Sequence, residues 1–568
     1  MRAAYNLPSP VANQRMKAQR PKENRRLALA TAPLVLFLLL FFAYPVARLC
    51  VLSFADPEGP LASYARLLSV PAYRAGLVAT FGISSLVTIL SVLCAYPVAY
   101  LMASVRPRLA ALLGLCVLLP FWTSSLVRTT AWIILLQRYG VINSLLLHAG
   151  LIRSPISFIY NLSGVLIGMT HVLMPFVVLP LYGAFRGLDR SQLDAAEGLG
   201  GSWFKIIGRL VLPLTSRAAC SGAAIVFMSA LGYYVTPALM GGARETMAAQ
   251  LIAFNVEDQL DWPMAGAFSS IIVAASVMIF ACAQRLSGPG GLFGGPVKAT
   301  QATRSNVVIR RSPLDWGVAA CGAALLFFLI LPLLIIAPMS FGASPFMSFP
   351  PEHLTWRWYH QVFTRPQWRA ALWNSLQIGM IAVTGATILG SLAAVGLDAL
   401  HGRVRTAAEM LIIMPMIAPA IALAIGLYYE FAPLHLLSGH WGLGLGHIVL
   451  ASPFVFIAVR SALQRFDPTL LDAATGLGAG PLRITYRVLL PAIAPGVAAG
   501  AIFAFVTSFD DVVLALFLTD VRSRTLPRLI YENVSQDINP TVAVVSTLVA
   551  LATLLVLSIN LLLTKSKS

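Results

Sequence analysis

About twelve separate runs of roughly twenty or more mostly apolar residues divide this chain, and each is long enough to cross the hydrocarbon core of a bilayer as a helix. They lie near 30–53, 78–104, 109–136, 162–185, 218–240 and 264–284, then near 315–341, 372–398, 406–431, 443–462, 492–519 and 541–563. In lipid every backbone polar group needs an internal partner, so such runs predict an all-α integral membrane protein. Composition agrees: 58% of the 568 residues are hydrophobic, only 11% are charged, and the mean hydropathy is +0.80.

A formal charge of +18 raises nucleic acid as a partner, so the position of that charge matters. About 27 of the 40 Lys and Arg fall in the odd-numbered gaps if the N-terminus is cytoplasmic, as the positive-inside rule expects. The tail holds Arg15, Lys17, Arg20, Lys22, Arg25 and Arg26, and further charge lies in 186–217, 285–313 and 460–487. Short basic loops of this kind suit membrane lipids, whose headgroups are acidic, and argue against nucleic acid. The first apolar run is too long for a signal-peptide core, which predicts a retained helix in a multi-pass protein of a cell membrane. Cys50, Cys94, Cys116, Cys220, Cys282 and Cys321 sit in or beside apolar runs without CxxC spacing and predict packing rather than disulfide or metal chemistry. Trp122, Trp132, Trp356 and Trp358 fit interfacial anchoring.

The chain also repeats itself. Residues 193–213 read LDAAEGLGGSWFKIIGRLVLP and residues 471–491 read LDAATGLGAGPLRITYRVLLP, aligned without a gap at an offset of 278. Each copy lies between the fourth and fifth runs of its half, so the halves are parallel repeats of six helices. The expected organisation is a basic cytoplasmic tail over 1–28, a first unit over 29–285, a Gly-, Pro- and Arg-containing cytoplasmic linker over 286–313, and a second unit over 314–568.

Within the repeat, Asp467-Pro468 predicts a helix N-cap with proline in the first turn, and Asp189 occupies the matching place. Leu193, Ala196 and Leu199, matched by Leu471, Ala474 and Leu477, make one apolar stripe beside the small Ala195 or Ala473. Gly200 and Gly478 supply the stop, and a second short helix leads to Pro213 or Pro491 at the start of the next span. Each copy is thus a compact helical finger, with loops 189–213 and 467–491.

An acid, two alanines, three residues, a glycine, nine residues and aliphatic-x-Leu-Pro resembles the EAA loop of bacterial ATP-binding-cassette importer permeases. Asp194 and Asp472 stand where that family usually has Glu. The resemblance implies a type I-like permease of two fused units in the bacterial inner membrane, non-catalytic, with Asp194, Ala195, Ala196 and Gly200, and Asp472, Ala473, Ala474 and Gly478, forming two coupling helices. It further implies two cytoplasmic ABC ATPase subunits and a periplasmic substrate-binding protein as partners. The sequence has no Gly-Lys dipeptide and hence no phosphate-cradling GxxxxGK[ST] loop. No cofactor is expected in this chain, and ATP and Mg are expected on the partner ATPase.

Intramembrane polar residues are the candidates for a substrate pathway, because burying charge in a bundle costs several kcal/mol. Phe509-Asp510-Asp511 places two adjacent carboxylates in an apolar run; neighbours on a helix point about 100° apart, so at most one faces a pore squarely. They either attract a cation or hydrogen-bond neighbouring helices or Arg128. SFDDV with the 525–531 stretch TLPRLIY resembles the second permease subunit of spermidine/putrescine importers, and 126–146 with 231–242, including Arg128, Tyr233 and Tyr234, resembles the first. Tyr233 replaces an acid common there, although tyrosine also holds an alkylammonium by cation-π contact. Tyr428 and Glu430, near the outer end of the ninth run, either line a vestibule or face water. The resemblance implies import of a small cationic or polar organic solute of the polyamine type; fused permeases for ferric iron, thiamine or organophosphonate are the alternative. His171 and His447 read as packing hydrogen-bond partners rather than ligands.

Overall fold

A computed structural model describes residues 28–121, 123–287, 313–344, 350–351, 353–467, 469–536 and 540–551. The basic tail before residue 28, Trp122, most of the 286–313 linker, Pro468 and the end of the twelfth run lie outside the described residues. The described chain is helical throughout apart from turns and one isolated bridge between Gly342 and Leu354. Among the described residues, nine helices are long and apolar enough to cross a membrane, and two sharply bent helix pairs bring the number to as many as eleven. Pro540–Leu551 is a shorter apolar helix at the start of the twelfth run.

Five of the expected continuous runs are instead broken; the fourth, over 162–185, bends by 47° between Leu162–Leu173 and Pro175–Arg186. The third, over 109–136, is two helices, Pro107–Phe121 and Ser125–Leu136, with Pro120 near the end of the first. The ninth, over 406–431, bends by 96° between Gly402–Met416 and Ala420–Phe431, where Pro419 precedes the second helix. The fifth stops at Leu231 and restarts as Val235–Met240, and the eleventh stops at Asp510 and restarts as Val513–Leu518. The third and fifth runs of each half therefore break in corresponding places. Average apolarity across a window conceals a break of two or three residues; prolines and small polar residues create it.

Packing divides the chain into two compact groups: Met1–Pro45 with Leu376–Met416 and Gly439–Ser508, and Val46–Ser375 with Ile417–Ser438 and Phe509–Ser568. This division cuts across the repeat because first helices change sides. In the smaller group, Ala32–Leu38 packs on Gly402–Ile413, and the π-turn Leu39–Ala43 packs on His440–Leu463. Val455 of that long helix is clasped between Gly390 and Gly500, where an added Cβ would come within 2.9 and 3.0 Å of it. Small residues let helices approach closely in this way, where dispersion replaces the hydrophobic effect.

In the larger group, Pro71–Ser104, the bent pair Leu162–Leu173 and Pro175–Arg186, and Leu212–Leu231 surround one apolar cluster. Leu326 and Leu329 of Pro313–Met339 belong to the same cluster, so the first helix of the second repeat is built into the core of the first. A second cluster joins Leu126–Leu136 to Ile335, Ile336, Leu526, Ile530 and Val542–Val545. Trp132 is 2% exposed within it, packed on Phe328, and Trp358 is buried with its indole N–H donating to Gly342 C=O. These two tryptophans are core residues, not interfacial anchors, whereas Trp356 is exposed.

Candidate functional site: helix breaks and paired fingers

A broken helix inside an apolar run leaves backbone groups without partners and is tolerated where protein satisfies them or a cavity hydrates them. Here both carboxylates of the Asp510-Asp511 pair supply that satisfaction. Asp510 Oδ1 accepts from the backbone N–H of Ser125 at 2.7 Å and from its hydroxyl at 3.2 Å, so an acid at the end of Leu490–Asp510 caps the start of Ser125–Leu136. Asp511 Oδ2 accepts from Ala515 N–H at 3.2 Å in the first turn of Val513–Leu518. Each acid thus sits at the positive end of a short helix. The matching residue to Asp510 in the first repeat is Gly232, against which Pro419 of the ninth-run break packs so closely that a Cβ would lie 2.6 Å from it. One repeat seals its break with charge and the other with close packing.

Arg128, one turn inside Ser125–Leu136, is only 3% exposed. Its Nε donates weakly to Ser124 C=O at 3.5 Å, Nη1 has no hydrogen-bond partner among the described residues, and Asp510 lies within electrostatic reach. Tyr233 also lies near both charges, and Thr236 beneath it bonds Thr129 at 3.0 Å. Arg128, Tyr233 and Asp510 therefore form one group around the third- and fifth-run breaks. Phe509 packs against the adjoining apolar cluster.

The other pathway candidates lie in separate places. The hydroxyls of Tyr234 and Tyr531 share a hydrogen bond, the rings 6.1 Å apart. Tyr428 stacks on Trp262 at 5.9 Å, and Glu430 pairs with Arg48 at 4.0 Å while 24% exposed. His171 is fully buried, its Nε2 3.0 Å from Leu329 C=O, and His447 Nδ1 meets Ser508 Oγ at 2.7 Å; both are packing hydrogen-bond partners. Sequence reasoning missed Ser125, Pro419 and Trp262. Serine and proline inside apolar runs were the available signal for the first two.

The fingers are nearly superimposable in their local bonding. Asp189 accepts from Ser191 N–H at 2.9 Å and Asp467 from Thr469 N–H at 3.0 Å, capping Arg190–Gly198 and Thr469–Gly476. The Thr469 bonds hold the Asp467 carboxyl below the usual carboxylate range. Gly200 and Gly478 both adopt φ +78°, a left-handed conformation that an L side chain resists. Around them, Gly200 N–H meets Glu197 C=O and Gly201 N–H meets Ala196 C=O, exactly paralleled by Gly478 to Thr475 and Ala479 to Ala474. Pro213 and Pro491 have no N–H for the carbonyl four residues back, and the chain widens there into π-turns at Ile207–Val211 and Thr485–Leu489.

Leu193 and Ala196 are half-buried against the apolar cluster that also holds Leu326 and Leu329, whereas Leu199 is 89% exposed. Leu477 is likewise 89% exposed, so the third leucine of each expected stripe leaves it at the helix cap. Asp194, Ala195, Asp472 and Ala473 are exposed, and Ala474 is half-buried.

Known proteins resemble both repeats. A spermidine/putrescine transport system permease protein, PotB of Salmonella typhimurium (strain SL1344), is 33% identical over 237 residues, 41% of this chain and 82% of that protein. Spermidine/putrescine transport system permease protein PotC of Escherichia coli (strain K12) is 32% identical over 245 residues, 43% of this chain and 92% of its own. A solved bacterial ABC transporter involved in import of the acidic polysaccharide alginate matches 45% of this chain and 98% of its own, at 18% identity and a TM-score of 0.36. The family model for binding-protein-dependent transport system inner membrane components matches residues 95–290 and again 386–567. Two matched domains on an all-helical, multiply spanning chain place it among the non-catalytic permease components of ABC importers, and it belongs to the family of binding-protein-dependent transport system inner membrane components.

Proposed function

We propose that this chain is a permease pair, two units fused in one polypeptide, which imports a small cationic organic solute of the polyamine type by alternating access. The observation that carries the mechanism is the duplicated finger: two copies with the same caps, the same left-handed glycine and the same exposed leucine. A rigid protrusion bearing an apolar tip suits insertion into a groove on a partner. Loops 189–213 and 467–491 each seat in one ATPase subunit on the cytoplasmic side, with Asp194, Ala195, Ala196 and Gly200, and their counterparts Asp472, Ala473, Ala474 and Gly478, forming the docked surface. The ATPases bind ATP and Mg, and a periplasmic binding protein delivers solute to the opposite face.

Similarity to spermidine/putrescine permeases supports the polyamine reading. The acid pair at the eleventh-run break adds negative charge where a cation crosses, with Tyr233 near Asp510. Substrate specificity is tested with the chain reconstituted in vesicles together with its ATPase and binding protein. Labelled spermidine or putrescine accumulates on ATP addition, and Asp510→Asn with Asp511→Asn lowers that uptake at least about tenfold, the loss of one desolvated charge contact. Absence of polyamine uptake in the unaltered complex, or uptake untouched by the double substitution, overturns the polyamine assignment.

A further inference from the structure

Asp315 is 2% exposed and stands in the first turn of Pro313–Met339, the opening helix of the second repeat. Its Oδ1 accepts two hydrogen bonds: from the Tyr100 hydroxyl at 2.7 Å and from the Trp203 indole N–H at 3.0 Å. Tyr100 belongs to Pro71–Ser104 of the first repeat, and Trp203 is the first residue of the second helix of the first finger. A carboxylate is costly to bury and is kept where its bonds matter. This one joins a finger to the first helix of the opposite repeat.

We propose that Asp315 is a positioning residue that fixes the first finger to Pro313–Met339, so that displacement of that finger moves this helix directly. The proposal rests on the reading of the finger as the ATPase contact. The helix is suited to carry motion. At Gly322 it lies so close to Pro97 that an added Cβ would meet the Pro97 carbonyl at 2.5 Å. About 20 Å from Asp315, at 1.5 Å per residue, Phe328 packs on Trp132 at 4.9 Å between ring centroids and Leu329 C=O meets His171. Trp132 lies on Ser125–Leu136, the helix whose start Asp510 caps. The link is one-sided: the residue matching Trp203 in the second finger is Pro481, which has no side-chain donor. The same bond cannot form at the second finger, so this link belongs to the first.

The bonding pattern yields an unusual order of substitutions. Both bonds fall on Oδ1, while Oδ2 has no hydrogen-bond partner among the described residues. Asp315→Asn keeps an oxygen in the Oδ1 place and is expected to preserve coupling; Asp315→Ala and Trp203→Phe each remove the Trp203 bond and are expected to lower solute imported per ATP hydrolysed by roughly tenfold. The complex with ATPase and binding protein is reconstituted in vesicles, and uptake and ATP hydrolysis are measured on the same sample. A role confined to folding lowers the amount of assembled complex and leaves that ratio unchanged; this result overturns the proposal. Trp203→Phe retains an aromatic ring and carries the test if Asp315→Ala does not assemble. Combining Asp315→Ala with Trp203→Phe is expected to cost no more than either alone, and additive losses also overturn the link. Ala195→Trp with Ala473→Trp, which blocks both fingertips, separates the two readings. If this variant still imports with ATP, the ATPase-contact reading fails; if it does not import while the Asp315 and Trp203 variants keep a normal ratio, only the link fails.

Discussion

Asp56 shows how one acid organises a loop outside the spans. It is 7% exposed, accepts from Ser63 Oγ at 2.5 Å and from Glu58 N–H at 3.1 Å, and pairs with Arg66 at 2.6 Å; Arg66 reaches on to Asp261 at 2.9 Å. The Ser63 hydroxyl is the main cause that holds the Asp56 carboxyl below its usual range. Arg66 is 37% exposed, so solvent screens its share of the pair. A carboxyl with a lowered folded pKa stabilises fully above its unfolded value of about 3.9 and loses that contribution as pH falls through the folded value. Asp56→Ala is therefore expected to cost about 1–3 kcal/mol in thermal unfolding of the solubilised protein. The difference from wild type should be constant from pH 8 to pH 5 and shrink only below about pH 4; a difference that grows on acidification contradicts this account. Residue-level features of this local kind were legible in the sequence when the partners were neighbours: the caps at Asp189 and Asp467 are two residues from their donors. Ser125 and Asp510 are 385 residues apart, and no local pattern could join them.

At the scale of elements, the fingers were readable and the breaks were not. Each finger is defined by cap, stripe and stop within some twenty residues, and its terminating glycine is forced by backbone conformation rather than by crowding. Among the described residues, no heavy atom beyond the chain neighbours lies within 4 Å of a Cβ added at Gly200 or Gly478, although both have φ +78°. Gly200→Ala and Gly478→Ala should each cost about 1 kcal/mol from backbone strain alone. Hydrogen exchange of the amides at Leu199–Gly201 and Leu477–Ala479 reports the outcome: faster exchange confined to those turns is expected, and unchanged protection counts against the left-handed stop. The breaks escaped because a run such as 406–431 remains apolar through its turn, and only Pro419 marks where the chain bends by 96°. Trp132 was misplaced for a related reason: an aromatic near the end of an apolar run suits an interface equally well, and its burial against Phe328 depends on the helix of another repeat.

For the whole molecule, the exchange of first helices predicts what happens when the halves are separated. Ala32–Leu38 finds its packing on Gly402–Ile413, and Pro313–Met339 supplies Leu326 and Leu329 to a cluster otherwise drawn from the first repeat. Neither repeat owns all of its core. Relatives are matched over 82% and 92% of their own length by about two fifths of this chain, little more than the length of one repeat. Cutting the chain within 288–312 and producing both halves together should give an assembly that copurifies and keeps ATP-driven uptake within about threefold of the intact chain, because a closed linker alters effective concentration more than contacts. Either half produced alone should fail to accumulate: without Pro313–Met339 the Gly322–Pro97 seam opens along Pro71–Ser104, and without Gly402–Ile413 the first helix loses its partner. A first half that accumulates in the membrane and resists protease as well as the intact chain does would show that each repeat holds its own core, and the exchanged helices would then be accessories rather than the means by which two repeats become one permease.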